Sequence, residues 1–366
     1  MLIQLPEVDS NIQITSEPLS QLSFLLKKNY SQAVLISDTS VFSIYGREYL
    51  HLLHKLPFLS ILPITIPPGE TSKNWEIAYD CWNKMHQAHI DKQAIVISLG
   101  GGVVSDLTGF IAACYMRGLD VIHIPTTLMG MIDAAIGGKT GINLESGKNI
   151  VGIIHQPKCV LIDPNFLETL PQKEFIASLA EVIKYGIILS PELFEFLETN
   201  TQNILEKKPN TLRTIIEVCC QLKAKIIKVD EKENNVRAIL NFGHTFGHAI
   251  EASTQYRQYL HGEAVAIGLS CAFYTSHLLG LIPRDLIHRL HQLLDHLQLP
   301  YSLPIDITPE TLIQAMYKDK KTSRGVLQLI LLKALGEIEV KTRVTSDLVI
   351  QALNLKKLHE SPHGKS

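Results

Sequence analysis

Along the first half of the chain, short apolar runs alternate with longer segments whose apolar residues recur every three or four positions. "AVLISD" precedes "VFSIYGREYLHLLHKL", and "LPITIPPGE" precedes "NWEIAYDCWNKMHQ". "AIVISLGGG" precedes "DLTGFIAACYMRG", and "DVIHIPTT" precedes "LMGMIDAAIGG". Such alternation predicts a parallel sheet with crossover helices. After about Pro171 the strand signal fades. Helical runs take over in "KEFIASLAEVIKYGIIL", "TLRTIIEVCCQLKAKIIKVDE", "FGHAIEAS" and "DLIHRLHQLLDHL". A strand-like pair near "LQLILLKALGEIEVKT" is the late exception, and the final "KKLHESPHGKS" is expected to fray.

At 366 residues the chain is long enough for two cores, so two domains are expected. A formal net charge of −2 and the lack of a long basic run remove the usual electrostatic case for a nucleic-acid or membrane-surface partner. Any anion must therefore be bound locally. The six cysteines have no metal-ligand or disulfide-framework spacing, as expected of free thiols in a reducing compartment. The start "MLIQLPEVDSNIQIT" has no secretory pattern, so a cytoplasmic location is expected. "AVAIGLSCAFYTSHLLGLIP" (264–283) carries no Asp, Glu, Lys or Arg and is almost long enough to span a bilayer. Its Ser, Thr and His residues favour a helix buried in a protein core.

Chemistry enters with "ISLGGGVVSDLTGF". A strand ending in glycines, with Ser105 and Asp106 at a helix start, lets backbone N–H groups approach a pyrophosphate beside the positive helix end. The loop is neither G-x-G-x-x-G nor G-x-x-x-x-G-K-[ST], so a tight turn that needs glycine remains open as the alternative. Asp38 ends the first strand, where a carboxylate can hold a ribose hydroxyl, and "PPGETSK" adds Glu70 and Lys73 at the end of the next. Polar strand ends favour a dinucleotide over a mere turn, because ligands of open α/β sheets bind there. In "DAAIGGKTGINLESGKNIVG", Lys139 and Lys148 sit beside glycines and can neutralise a phosphate; a solvated surface loop is the alternative.

The helical half offers metal ligands. Glu181 and Lys184 lie three apart, on one face of an apolar helix, and a carboxylate there needs a partner or a metal. "NFGHTFGHAIEASTQYRQYLHGE" places His244, His248 and His261 close together. One Glu with two or three His suits Zn²⁺ with a position left for substrate, whereas each histidine alone is more often an ordinary core or surface group.

Together "PPGETSK", "GGGVVSDLTGFIAACYMRG", "IPTTLMGMIDAAIGGKTGINLESGKN", "AEVIKYG", "DEKENNVRAILNFGHTFGHAIE" and "LHGEAVAIG" resemble the 3-dehydroquinate synthase family of sugar phosphate cyclases, over nearly the whole chain. The resemblance implies an α/β fold with a Rossmann-like, parallel-sheet N-terminal domain over residues 1–172 that binds NAD. It implies an α-helical, metal- and substrate-binding domain over residues 173–366, with Zn²⁺ or Co²⁺ between the two. The reaction it implies converts 3-deoxy-D-arabino-heptulosonate 7-phosphate to 3-dehydroquinate and phosphate. NAD oxidises the C5 alcohol transiently, phosphate is eliminated, the ketone is reduced again, and an intramolecular aldol closes the ring.

By matching motif, the resemblance implies Glu181, His244 and His261 as metal ligands and His248 as the proton relay beside the metal-bound hydroxyl. It implies Arg117, Lys139 and Asn149 at the substrate phosphate, and Lys223 and Arg237 at the carboxylate. Asn241, Lys184 and Asp133 fall near the ring hydroxyls, and Glu233 matches an acidic site residue. "YKDKKTSRG" supplies a further lysine, Lys320 or its neighbour Lys321. For NAD the matching positions are Asp38, Glu70, Lys73, Gly102, Val103, Val104, Ser105, Asp106, Thr126, Thr127, Lys139, Lys148, Phe166, Leu167, Glu168 and Thr169. Ser105 stands where the family often has glycine, a small change.

Two alternatives stay beside this reading. A related cyclase or a metal-dependent polyol dehydrogenase would keep the NAD loop and the metal triad without needing Lys223 and Arg237. A zinc hydrolase could use His244 and His248, yet H-T-F-G-H lacks the general-base Glu of H-E-x-x-H. A homodimer is also expected. Arg117 closes a helix that starts at the nucleotide loop, about 15 to 20 Å away and too far for its own site; the resemblance implies that it reaches the substrate phosphate of a neighbouring subunit, as a symmetric dimer allows.

Overall fold

The computed structural model describes residues 1–5, 9–26, 30–145, 147–231, 236–318 and 327–360. The chain divides into two compact units, Met1–Leu170 with Leu212–Lys232, and Pro171–Thr211 with Glu233–Ser366. The first boundary falls where strand alternation ends in the sequence. The return of 212–232 to the first unit has no counterpart in the sequence pattern.

In the first unit, β1 (Leu2–Leu5), β2 (Ser10–Ile14), β3 (Gln32–Asp38), β4 (Ser60–Ile66), β5 (Ile95–Gly100), β6 (Asp120–Pro125) and β9 (Cys159–Ile162) form one sheet in the order β1-β2-β9-β6-β5-β3-β4. All pairs are parallel except β1 with β2. Every residue of β3 and of β5 is buried, as their unbroken apolar runs require of strands covered on both faces. The connecting helices are α1 (Pro18–Leu25), α2 (Thr39–Val41), α3 (Arg47–Leu53), α4 (Trp75–Gln87) and α5 (Gly102–Cys114). Cys81 and Met85 of α4 and Leu107 and Ile111 of α5 pack into one core with Val34, Ile36 and Val96 of the sheet. From β3 the chain first steps outward to β4, then returns to β5 on the other side. The loops after β3 and β5 therefore diverge, and the crevice between them is where such sheets bind ligands.

One expectation is corrected here, and the surface-loop alternative for one segment falls away. The lysine-rich glycine segment is not a loop but a hairpin, β7 (Lys139–Leu144) paired with β8 (Gly147–Ile154), in which Gly141 lies opposite Gly152. Glycine weighs against a strand because it has no side chain to pack. Here that absence is the requirement, since a Cβ on Gly152 would lie 2.3 Å from the Thr140 carbonyl oxygen. Arg117, in turn, does not close the helix: α5 ends at Cys114, and Met116 and Arg117 both take left-handed backbone, with φ of 47° and 66°.

The remaining helix of this unit, α9 (Pro209–Val229), follows the excursion of the chain through Pro171–Thr211 of the second unit. It buries Ile215, Ile216, Cys219, Cys220 and Lys223. Lys223 Nζ donates to the carbonyl oxygen and to Oδ1 of Asp133, both at 2.5 Å, and Cys220 Sγ lies 3.5 Å from the Met131 carbonyl. These contacts fix the helix to the first unit.

The second unit is helical: α6 (Gln172–Leu189), α7 (Pro191–Thr199), α8 (Thr201–Leu205), α10 (His244–Ser253), α11 (His261–Leu278), α12 (Arg284–His296), α13 (Pro309–Lys318) and α14 (Ser346–Glu360). The expected strand pair is present as β10 (Leu327–Ala334) and β11 (Glu337–Val344). The long uncharged segment is a core helix, α11, buried from Ala264 through Ser276. Among the described residues no helix is long and apolar enough to cross a membrane. α11 lies close on α6 and α10: a Cβ on Gly262 would fall 1.8 Å from the Ala177 carbonyl oxygen, and one on Gly268 2.2 Å from that of Gly243.

The tail expected to fray from Lys356 is instead helical through Glu360, while residues 361–366 lie outside the described residues. Lys356 is fully buried. Its Nζ donates to Ser270 Oγ at 2.8 Å and to the Tyr301 carbonyl at 2.6 Å. A chain terminus frays unless it is tied down, and here the Lys356 ammonium meets oxygens inside the helical core.

Candidate active site

In the second unit, Glu181 from the middle of α6, His244 from the first turn of α10 and His261 from the first turn of α11 come together. One ligand atom from each lies within 4.8 Å of the others. The glycine contacts explain how three helices come this close, because Gly262 follows His261 and Gly268 packs on Gly243, the residue before His244. Glu181 is 1% exposed, and neither carboxylate oxygen makes a hydrogen bond of normal geometry. Lys184 Nζ and His244 Nε2, the latter at 3.1 Å, sit within ion-pair reach. Burial alone would raise this carboxyl, but Lys184, followed by His244, outweighs it and holds the group well below the usual carboxylate range.

Burial pushes the His244 imidazole down to about 4, so it is neutral near pH 7 with a lone pair to offer. Its Nδ1 lies 3.2 Å from the Phe242 carbonyl oxygen. A carbonyl only accepts, so Nδ1 carries the proton and Nε2 faces Glu181. His248 is one turn further along α10 and exposed, with its ring centroid 5.5 Å from that of His244 and 6.0 Å from that of His261. Lys184 is 2% exposed and Arg237 likewise. Asn241 ends a short 3₁₀ segment, Val236–Asn241, three residues before His244.

One group in this cluster has no place in the sequence reading. Glu251 of α10 is 2% exposed, and its Oε2 lies 3.3 Å from His261 Nδ1. It forms a second three-group constellation with His248 and His261. The spacing held a signal, since Glu251 follows His244 by seven residues and His248 by three, on the same helix face.

In the first unit, β5 runs into α5 with Gly101 at the cap. Neither Gly101 nor Gly102 has positive φ. Glycine is needed for room: a Cβ on Gly101 would fall 2.9 Å from Thr127 Cγ2. Val103, Val104 and Ser105 follow in the first turns of α5, and Ser105 Oγ donates to the Gly102 carbonyl. Lys73 Nζ pairs with Asp106 and donates to Asn149 Oδ1, the latter at 2.5 Å. Burial raises the Asp106 carboxyl, with Lys73 opposing. Glu70 accepts from Asn143 Nδ2 at 2.8 Å, and Asn143 Oδ1 accepts from the Asn149 N–H. The hairpin therefore ties positions expected at NAD to one expected at phosphate.

Asp38 Oδ1 caps α2 by accepting from the Ser40 and Val41 N–H groups, at 2.9 and 3.0 Å. Thr126 is buried, and Thr127 Oγ1 accepts from the Gly130 N–H. Phe166, Glu168 and Thr169 line a cavity of about 500 Å³ with Tyr45, Tyr49 and Asp163. Leu167 is buried. Lys139, at the start of β7, and Arg117 are exposed, and Lys148 is half-buried. Glu233, Lys320 and Lys321 lie outside the described residues.

Residues 63–177 match the model of the 3-dehydroquinate synthase N-terminal region, and residues 178–322 that of the C-terminal region. The 3-dehydroquinate synthase of Vibrio atlanticus (strain LGP32) is 42% identical over 338 residues, 92% of each chain. That of Thermoanaerobacter pseudethanolicus (strain ATCC 33223 / 39E) is 42% identical over 342 residues, 93% of this chain and 96% of the relative. Among solved structures, ValA, the 2-epi-5-epi-valiolone synthase of Streptomyces hygroscopicus subsp. jinggangensis 5008 with NAD⁺ and Zn²⁺ bound, is similar with a TM-score of 0.88. It is 28% identical and covers 98% of this chain and 100% of its own.

Proposed function

The chain belongs to the 3-dehydroquinate synthase family, and from that premise we propose how its residues divide the work of an NAD- and metal-dependent cyclase. The reaction converts 3-deoxy-D-arabino-heptulosonate 7-phosphate to 3-dehydroquinate and phosphate. The observation that carries the metal assignment is the convergence of Glu181, His244 and His261 around a buried carboxylate without a normal hydrogen bond. One carboxylate and two imidazoles fit Zn²⁺ or Co²⁺ and leave a position for substrate. When bound, the ion supplies Lewis acidity that makes a substrate hydroxyl easier to deprotonate, and NAD supplies a hydride acceptor that returns the hydride later.

The chain's own groups do the rest. His248, exposed beside the other two imidazoles, takes and holds the proton from that hydroxyl. Lys184, Asn241 and Asp133 hold the ring hydroxyls, and Glu233 stays an acidic member of the site. Lys223 and Arg237 take the substrate carboxylate, Lys139, Asn149 and Arg117 serve the phosphate end, and Lys320 is a further substrate-binding lysine. The NAD positions are Asp38, Glu70, Lys73, Gly102 to Asp106, Thr126, Thr127, Lys139, Lys148 and Phe166 to Thr169. In this reading residues 1–172 form the NAD-binding domain and 173–366 the metal- and substrate-binding domain.

Phosphate release from the heptulosonate phosphate tests the whole reading, with NAD and a chelator each added or withheld. Release that ignores both would refute it.

The likeness to a valiolone synthase gives one second reading weight, a cyclase acting on an uncarboxylated sugar phosphate. Lys223 and Arg237 separate the two readings, because only a carboxylate-bearing substrate needs them. Arg237→Ala should reduce kcat/KM by an amount equivalent to about 2 to 5 kcal/mol; an unchanged value would favour the second reading.

A homodimer is part of the proposal. Exposed Met116 beside Arg117, and exposed Val151, Ile153 and Ile154 on β8, offer an apolar surface that a second copy can cover. The six cysteines are free thiols, five of them buried, which supports the cytoplasmic location. The near-zero net charge supports small-molecule chemistry without nucleic-acid or membrane partners.

A further inference from the structure

Both candidate histidine ligands have their Nδ1 atoms held by oxygen. For His244 the oxygen is the Phe242 carbonyl, 3.2 Å away, which the backbone supplies whatever the side chains are. For His261 it is Glu251 Oε2, 3.3 Å away, on a different helix. A carboxylate 2% exposed carries a large desolvation cost and persists only where it has a task or partners. An ionised carboxylate only accepts, so the proton of His261 sits on Nδ1 and the lone pair on Nε2.

We propose that Glu251 is a positioning residue of the metal centre, fixing the tautomer and ring orientation of His261 so that Nε2 is the ligand atom. The proposal rests on Glu181, His244 and His261 being that centre. Carboxylates behind metal-bound imidazoles raise ligand basicity and lock the ring, and their loss typically weakens metal binding 10- to 100-fold. Glu251, His248 and His261 could instead hold the ion themselves. That arrangement would take His261 away from Glu181 and leave the buried Glu181 carboxylate to Lys184 and His244 alone. It is the weaker reading, and the same experiment separates the two.

The full-length protein, freed of metal by a chelator, is titrated with Co²⁺ while its visible absorption is followed. Glu251→Ala should raise the Co²⁺ Kd roughly 10- to 100-fold, while the saturated spectrum stays close to that of wild type because the ligands are unchanged. Glu251→Gln keeps the volume and an acceptor oxygen, so its Kd should fall between those of wild type and Glu251→Ala. It also guards against a misfolded alanine variant. Glu181→Gln should lose the wild-type spectrum. An unchanged Kd in both Glu251 variants, with Glu181→Gln defective, overturns the positioning role and leaves the metal centre standing. Loss of binding in Glu251→Ala with normal binding in Glu181→Gln overturns both, because the ion then belongs to the His248 group.

Discussion

Lys223 and Asp133, ninety residues apart in sequence, are joined twice: the lysine Nζ donates to both the backbone oxygen and Oδ1 of the aspartate, each at 2.5 Å. The ammonium is 5% exposed and the carboxylate 31%. The pair anchors a helix that returns to the first unit after an excursion through the second.

Asp133→Ala should therefore destabilise the first unit by about 1.5 to 3 kcal/mol, the worth of a hydrogen bond to a charged group. Both tryptophans, Trp75 and Trp82, lie in this unit, so their fluorescence during urea unfolding reads it directly. A loss below about 0.5 kcal/mol would place the pair with ordinary surface contacts.

Glu181→Gln or His261→Ala removes one proposed metal ligand and should abolish turnover, with metal content falling and NAD affinity kept. The proposed ligands lie in the second unit, and the proposed NAD positions in the first. Near-normal metal content in either variant would refute the triad.

His123 offers a pH test away from the metal. Burial, and then His155, lowers its pKa from 6.5 to about 3, and its Nδ1 lies 2.7 Å from Ser98 Oγ. The folded protein keeps it neutral while the unfolded chain protonates near pH 6.5, so its contribution is intact above pH 6.5 and is lost as pH falls toward 3. Stability of the first unit, read by tryptophan fluorescence, should fall by about 1.4 kcal/mol per pH unit in that window from this group. His123→Gln should flatten the curve by that amount. An equal slope in the variant would mean that the imidazole titrates normally in the fold.

Arg117 supplies the test of subunit sharing. Inactive Arg117→Ala chains mixed with inactive Glu181→Gln chains, under conditions that exchange subunits, should regain activity. One site of each hybrid dimer then carries both defects and the other neither. No recovery despite demonstrated exchange would confine Arg117 to its own chain.

Much of this architecture was legible because burial on both faces leaves unbroken apolar runs, as in β3 and β5. Residue type and spacing single out Glu181, His244, His248 and His261 as candidates, and only the family resemblance chooses among the histidines. The hairpin β7–β8 was not, because what makes it possible is the missing side chains of Gly141 and Gly152 facing each other, a tertiary fact. Short β1, β2 and β9 carry too few residues for a periodic signal. The burial of Glu251 and Lys356 is not legible in the sequence for a related reason. A charged residue suggests solvent until the oxygen or nitrogen that meets it inside the fold is known.

The contact of Gly262 with the Ala177 carbonyl bears on any attempt to make this enzyme hardier. Exchanging helix glycines for alanine is a common route to heat resistance, because it stiffens the unfolded chain. At this position the added methyl would collide with backbone at 1.8 Å and drive α11 off α6. The cluster tolerates little such widening, so a sturdier helix could come at the expense of its metal. Gly69 and Gly280 have open space around them but left-handed φ of 94° and 70°, which alanine adopts poorly. A stabilising campaign on this chain therefore does better to leave its glycines alone and work on the exposed helix surfaces.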